Sequence, residues 1–317
     1  MLAPLAIIAQ NVGFCVYKGL LSASSKEFEN TLTLARPSEH PADCPMVHVT
    51  DTAAEMRSLL TVLLDARRYL RREHLGFEDV ANCVRLAHKY VIKDLLDDSL
   101  EEIQKYFPST FWAWERRKKT PKLGHAIIAV NLARLTDTTS ILPAALYVCC
   151  QMGGSQIIRG MVRRDGVVET LASDDVERCI DGKIQLSIRA SGFIHEVFSR
   201  WKTAHFVNGS VDSGATRCCR SATSLQAQCY QNTVGLSNLL GSRGSSIRAA
   251  GSAGGSTRLC ARCISLMCEK EANLREALWS ELPRLFGLVK GGDIGHGEDD
   301  TSEVDSDSSL DDESDSD

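Results

Sequence analysis

Phe14-Cys15-Val16-Tyr17-Lys18-Gly19-Leu20-Leu21-Ser22-Ala23-Ser24-Ser25-Lys26-Glu27-Phe28 is the stretch on which the fold turns. Phe14 and Val16 alternate with Cys15 and Tyr17, the period-two pattern of a half-buried strand. Gly19 then permits a change of direction, and residues 20–28 read as a short helix. Upstream, residues 5–9 are an apolar run, and Asn11-Val12-Gly13 supplies turn chemistry before the second strand. Downstream, the polar, Pro-containing stretch 37–45 is a loop. Met46 to Val49 is a third strand.

Helices follow. Thr52 and Glu55 have capping-box spacing, so hydroxyl and carboxylate can each take an amide that the helix leaves unpaired. Met56, Leu59, Leu60, Leu63 and Leu64 then share one face, and burying each Leu stabilises by roughly 1.5–3 kcal/mol. A second helical block covers residues 77–107, divided in two by Tyr90-Val91-Ile92. Residues 108–122 are expected to be a charged linker. Helices are expected over 123–135 and from about 137 to 152, the latter with Pro143 in its first turn. Asp165-Gly166 marks a hairpin, and Ser173 or Asp174 starts a further helix. The stretch 232–258 is Gly/Ser-rich and expected to be mobile. Residues 259–288 recover a helical pattern. Residues 291–317 are expected to be disordered and acidic on composition.

The bulk numbers set bounds on these readings. A chain of 317 residues allows two domains. With 43% hydrophobic and 24% charged residues it can bury an ordinary core, mostly of aliphatic side chains because aromatics are only 6%. From residue 298 to the end there are 11 Asp and Glu and no Lys or Arg; taking these from the net charge of −5 leaves +6 for residues 1–297. No apolar run approaches the ~18 residues of a membrane span, so a membrane partner is not expected. The apolar start, residues 1–9, has neither the basic opening nor the length of a secretory signal. The 12 cysteines are therefore read as thiols in a reducing compartment.

The quoted stretch resembles the strand-to-helix signature of BTB/POZ domains: a hydrophobic strand, Tyr17-Lys18, Leu20-Leu21, Ser25 and Phe28. Val47-His48-Val49-Thr50-Asp51 is similar to that family's strand before its third helix. Leu86-Ala87-His88-Lys89-Tyr90, with Ile92 and Leu95-Leu96, is similar to the helix pair that closes its fold. These motifs cover residues 5–107. The remainder, through Pro108 to Trp114, Val130 to Arg134, Ile141 to Tyr147 and Leu282 to Leu288, resembles the extended BTB proteins of mushroom-forming (basidiomycete) fungi.

The resemblance implies an α+β fold: a BTB/POZ-like domain at 5–107, the linker 108–122, a mostly helical region at 123–290 and the tail at 291–317. It implies a non-enzymatic scaffold or adaptor with protein partners, including a cullin ubiquitin ligase; a nuclear transcription or chromatin co-regulator is the alternative. Nucleus, cytoplasm or both are the expected locations. The chain starts almost inside the first strand, without the N-terminal elements many BTB dimers swap, so weakened self-association is expected. The position of a cullin-contact motif is taken by the charged residues 65–73.

Candidate chemistry is sparse. Cys260-Ala261-Arg262-Cys263 is a C-x-x-C, a spacing that lets two thiolates converge on one zinc ion. Cys219 is the expected third ligand, with Cys218, Cys229, Cys268 and His205 also near in sequence or upstream. Buried hydrophobe-like cysteines are the plainer reading. No other cofactor is expected. Arg116, Arg117, Lys118 and Lys119 form a nuclear-import candidate, too small a basic face for direct nucleic-acid binding. Ser308 and Ser309 each have an acid three residues on and are phosphorylation candidates, each adding about −1.5 to −2 charges. No nucleophile elbow or phosphate loop is present, so no catalytic residues are expected.

Overall fold

The structure is a computed structural model. It describes residues 4–33, 44–64, 75–207, 210–211, 214–231, 238–252 and 258–289. The described residues form an α+β fold, mainly helical, with one three-stranded sheet near the N-terminus.

Strands β1 (Pro4–Ala9) and β2 (Val12–Tyr17) pair antiparallel with Leu5 opposite Val16 and Ile7 opposite Phe14. The turn falls at Gln10-Asn11, one position earlier than the sequence suggested, with Gln10 at φ 53°. Strand β3 (Met46–Val49) joins the other edge of β1 in parallel, giving the order β2-β1-β3. Central β1 turns Leu5, Ile7 and Ala9 into the core, as the period of two requires.

Between strand and strand lie α1 (Lys18–Ser22) and α2 (Lys26–Thr33). Two helices replace the one expected, because Ser25 restarts the chain: its hydroxyl accepts the Phe28 amide at 2.9 Å. Helix α3 (Ala53–Leu64) opens with the capping box in full, Glu55 N–H to Thr52 Oγ1 at 3.1 Å and Thr52 N–H to Glu55 Oε2 at 3.0 Å. Helices α4 (Phe77–Lys89) and α5 (Lys93–Gln104) are separated at Val91, φ 55°. The Ile92 amide reaches back to the Ala87 carbonyl at 2.8 Å and the Val91 amide to His88 at 3.3 Å, a Schellman stop.

Helix α4 is a shared wall. Cys83, Leu86, Ala87 and Tyr90 face the N-terminal core, while Phe77, Val80, Ala81 and Val84 face a second core that extends to Phe286. The expected linker 108–122 is part of that second core. It holds α6 (Phe111–Arg116), whose buried Trp114 packs edge-on to Tyr147 (5.9 Å) and against Trp279 (5.3 Å). Phe111, 6.2 Å from Trp279, adds a second apolar anchor, and Glu115 pairs with the buried Arg275.

The second core is built on α7 (Leu123–Leu135), a 3-10 turn (Thr139–Ile141), α8 (Leu142–Cys149) and the long α10 (Ser173–Phe198). Between them, α9 (Gly154–Arg159) leads into a two-stranded hairpin, β4 (Met161–Val162) and β5 (Val168–Glu169), turning at Asp165-Gly166 as expected. Gly160 (φ 77°) is required there, since a Cβ would lie 2.1 Å from the Glu169 carbonyl oxygen. Arg163 on this hairpin pairs with Glu55 of α3 at 3.2 Å, and Glu169 pairs with Arg85 of α4 at 2.9 Å, tying the hairpin to the N-terminal unit.

The C-terminal part comprises α11 (Arg200–His205), the short strands β6 (Phe206–Val207) and β7 (Ser210–Val211), α12 (Ala215–Gln231), α13 (Gly244–Ser252) and α14 (Ala261–Leu285). The Gly/Ser stretch 232–258, expected to be a linker, contains α13 with Ile247 fully buried. Small residues let α13 lie close: a Cβ on Gly251 would meet Ile264 at 2.3 Å. The tail 291–317, with Ser308 and Ser309, lies outside the described residues.

Candidate functional site

The most concentrated chemistry lies where α11, α12 and α14 meet. His205 ends α11, Cys218 is in the first turn of α12, Cys260 is the N-cap of α14 and Cys263 is in its first turn. Their ligand atoms all lie within 4.8 Å of one another. His205, Cys218 and Cys263 are buried and Cys260 is partly so. Around a tetrahedral zinc, bond lengths of about 2.0–2.3 Å put neighbouring donor atoms about 3.5–3.8 Å apart. Cys260 Sγ and His205 Nε2 are 3.7 Å apart.

Local structure explains the convergence. The C-x-x-C sits at a helix start, so Cys260 Sγ accepts the Cys263 amide at 3.4 Å while Cys218 Sγ accepts the Cys260 amide at 3.3 Å. The preceding residues are held on the end of α13 by Leu259 N–H to the Ala250 carbonyl at 3.1 Å and by Arg258 Nε to the Gly251 carbonyl at 2.7 Å. Burial pushes the Cys260 thiol up, but the hydrogen bonds, led by the Cys263 amide, bring it below its ordinary value. Burial raises Cys218 and Cys263.

Two of the three expected ligands, Cys260 and Cys263, belong to this group. The third, Cys219, does not: it is the neighbour of Cys218 and half-exposed, pointing off the buried face. Successive helix residues are about 100° apart, and Ala215, Cys218, Ala222 and Leu225 mark the inward stripe. That periodicity was present in the sequence and singles out Cys218. Cys268 turns elsewhere, toward Arg248 Nη1 at 3.8 Å. All twelve cysteines are free thiols.

The basic cluster is less available than its sequence suggested. Arg117 stacks on Trp114 with its guanidinium carbon 3.5 Å from the ring, and Lys119 pairs with Glu102 at 3.0 Å. Arg116 lies 4.6 Å over the ring of Trp112, an exposed Trp, and Lys118 is exposed. These residues border an open groove of about 570 Å³ with Lys105 and Pro108.

A second ionic centre joins the two cores. Arg163, 7% exposed, contacts Glu55, Asp165 and Glu169 at once. Glu169 also accepts from Arg85 at 2.9 Å and Asn131 at 2.8 Å. Every charge there has a partner of opposite sign, as expected of structural ion pairs.

Among the described residues no helix is long and apolar enough to cross a membrane. No family model matches the chain, and comparison with curated proteins and with solved structures gave no match.

Proposed function

We propose that the chain is a protein-interaction scaffold or adaptor of BTB/POZ type, with a cullin ubiquitin ligase as one class of partner. One observation carries the reading. The residues on which the resemblance rests are spread from Val16 to Leu95, yet pack as a single core of Leu21, Phe28, Val47, Leu86, Ala87, Tyr90, Ile92 and Leu95. Phe28 and Tyr90 rings lie 4.3 Å apart, and the Tyr90 hydroxyl donates to Asp51 at 2.6 Å. Strand, helix pair, strand, third helix and closing helix pair follow in the order that the resemblance implies.

On this reading the N-terminal unit recruits one partner and the helical region holds another, with no reaction of the chain's own. The nuclear co-regulator reading leans on Arg116 to Lys119. Engagement of Arg117 and Lys119 in packing leaves it the weaker one. Affinity capture of the full chain from its own cells, with quantitative mass spectrometry, tests the proposal. A stoichiometric protein partner is expected, and cullin subunits would specify the adaptor role. Chromatin factors without cullin would favour the alternative, and recovery of the chain alone would refute both.

A further inference from the structure

We propose that His205, Cys218, Cys260 and Cys263 bind one zinc ion, in a closed structural site that staples α11, α12 and α14 together. The argument begins with the donor set. Three thiol sulfurs and one imidazole nitrogen make a Cys3His set, characteristic of structural zinc. They arrive from positions 205, 218, 260 and 263, so their gathering within 4.8 Å is a tertiary event. Four protein donors fill a tetrahedron and leave no position for water or substrate. The site is therefore structural and adds no catalytic step.

The surrounding sequence explains why a staple is useful. Residues 206–259 are dominated by Ser, Gly, Ala and polar side chains. Such a segment buries little aliphatic area, and small cores commonly need a metal or disulfide in support. Among its described residues the buried aliphatic side chains are Ala215, Ala222, Leu239, Leu240, Ile247 and Leu259. An ion bound only by the folded arrangement would lend its binding free energy to folding.

The hydrogen bonds agree with metal-bound sulfur. Two backbone amides already point at Cys218 and Cys260 sulfurs, as suits atoms that carry negative charge on metal binding. Nε2 of His205 faces the sulfurs and is the atom offered to the ion. Iron–sulfur clusters call for four thiolates in most cases, and this set has three. A disulfide would use two of the sulfurs and leave one thiol and the imidazole without a role.

The test uses the full chain, purified in reductant without chelator. Elemental analysis should find about one zinc per chain. Cys218→Ser and Cys260→Ser should each lose most of it, whereas Cys219→Ser should keep it. Because a ligand variant can fail to fold, wild-type protein is also exchanged with cobalt. Tetrahedral ligand-field bands with thiolate-to-cobalt charge transfer are expected, and zinc should bleach them. Three results would each overturn the proposal: folded wild type holding under about a tenth of an equivalent and taking up no cobalt; loss of metal in Cys219→Ser equal to that in Cys218→Ser; or a disulfide within the set in the reduced preparation.

Discussion

Replacing Arg163 by Met should separate the two cores electrostatically while nearly preserving volume. Arg163 is 7% exposed, and Glu55 (12%), Asp165 (11%) and Glu169 (11%) surround it. Removing one partner of a buried ion pair costs about 3–5 kcal/mol, because the remaining charges stay buried. Here Glu169 keeps Arg85 and Asn131, and Asp165 keeps the Val167 amide at 3.1 Å. The lower end, about 3 kcal/mol, is expected, or roughly 6–12 °C in Tm at about 2–4 °C per kcal/mol. The loss should depend on pH. Burial pushes Asp165 up, but hydrogen bonds from Arg163 and the Val167 amide hold it below its ordinary value. Such a depressed carboxylate adds stability above its unfolded pKa and loses it as pH falls through the folded value. In the variant Asp165 loses the Arg163 bonds that hold it down, so its contribution to the difference between the two proteins is present at neutral pH and is lost as that carboxyl is protonated at low pH. Thermal melts of wild type and variant at pH 7 and about pH 3, below the ordinary Asp value of about 3.9, should show the gap narrowing. An equal gap at both pH values, or a variant within 1 °C of wild type at pH 7 (roughly the effect of a neutral surface change), would refute the reasoning.

Trp114→Ala should cost about 3–5 kcal/mol, read as a lower denaturant midpoint at unchanged slope, whereas a change in a solvated linker would stay near zero. Tyr90→Phe should cost about 1–3 kcal/mol in the same assay by taking a donor from buried Asp51; no loss would mean that the 2.6 Å bond stabilises nothing. His125 stacks on Phe77 at 4.1 Å, and burial, then Lys122, pushes its pKa down to about 4. Below about pH 6.5 the unfolded chain takes up a proton that the folded one refuses, so stability should fall toward pH 4. His125→Gln should flatten that stretch of a Tm-against-pH series, and an unaltered slope would assign it to other groups.

Local patterns carried much of the fold. The capping box at Thr52 and Glu55, the two-helix block at 77–104 and the Asp165-Gly166 hairpin depend on neighbours three or four residues away, so they were legible in sequence. Helix α13 was not, because Gly, Ser and Ala give no apolar period; it is stabilised by Ile247 reaching a core assembled from distant elements. The stretch 108–122 misled in the opposite sense, since charge dominates its composition while Trp114 and Phe111 pack into the core and Glu115 pairs with buried Arg275.

The candidate site divides along the same line. Sequence paired Cys260 with Cys263, because a spacing of three at a helix start brings two thiols to one side. It also placed Cys218 and Cys219 nearby, and the expected ligand was Cys219, although the stripe of Ala215, Cys218, Ala222 and Leu225 points to Cys218. Tertiary structure settled on Cys218 by burying the Ala215, Cys218 and Ala222 face of α12, which packs on α10 and α11. It also set His205, 55 residues before Cys260, 3.7 Å from that sulfur. Contacts between residues so far apart depend on how helices pack, and no local period encodes that.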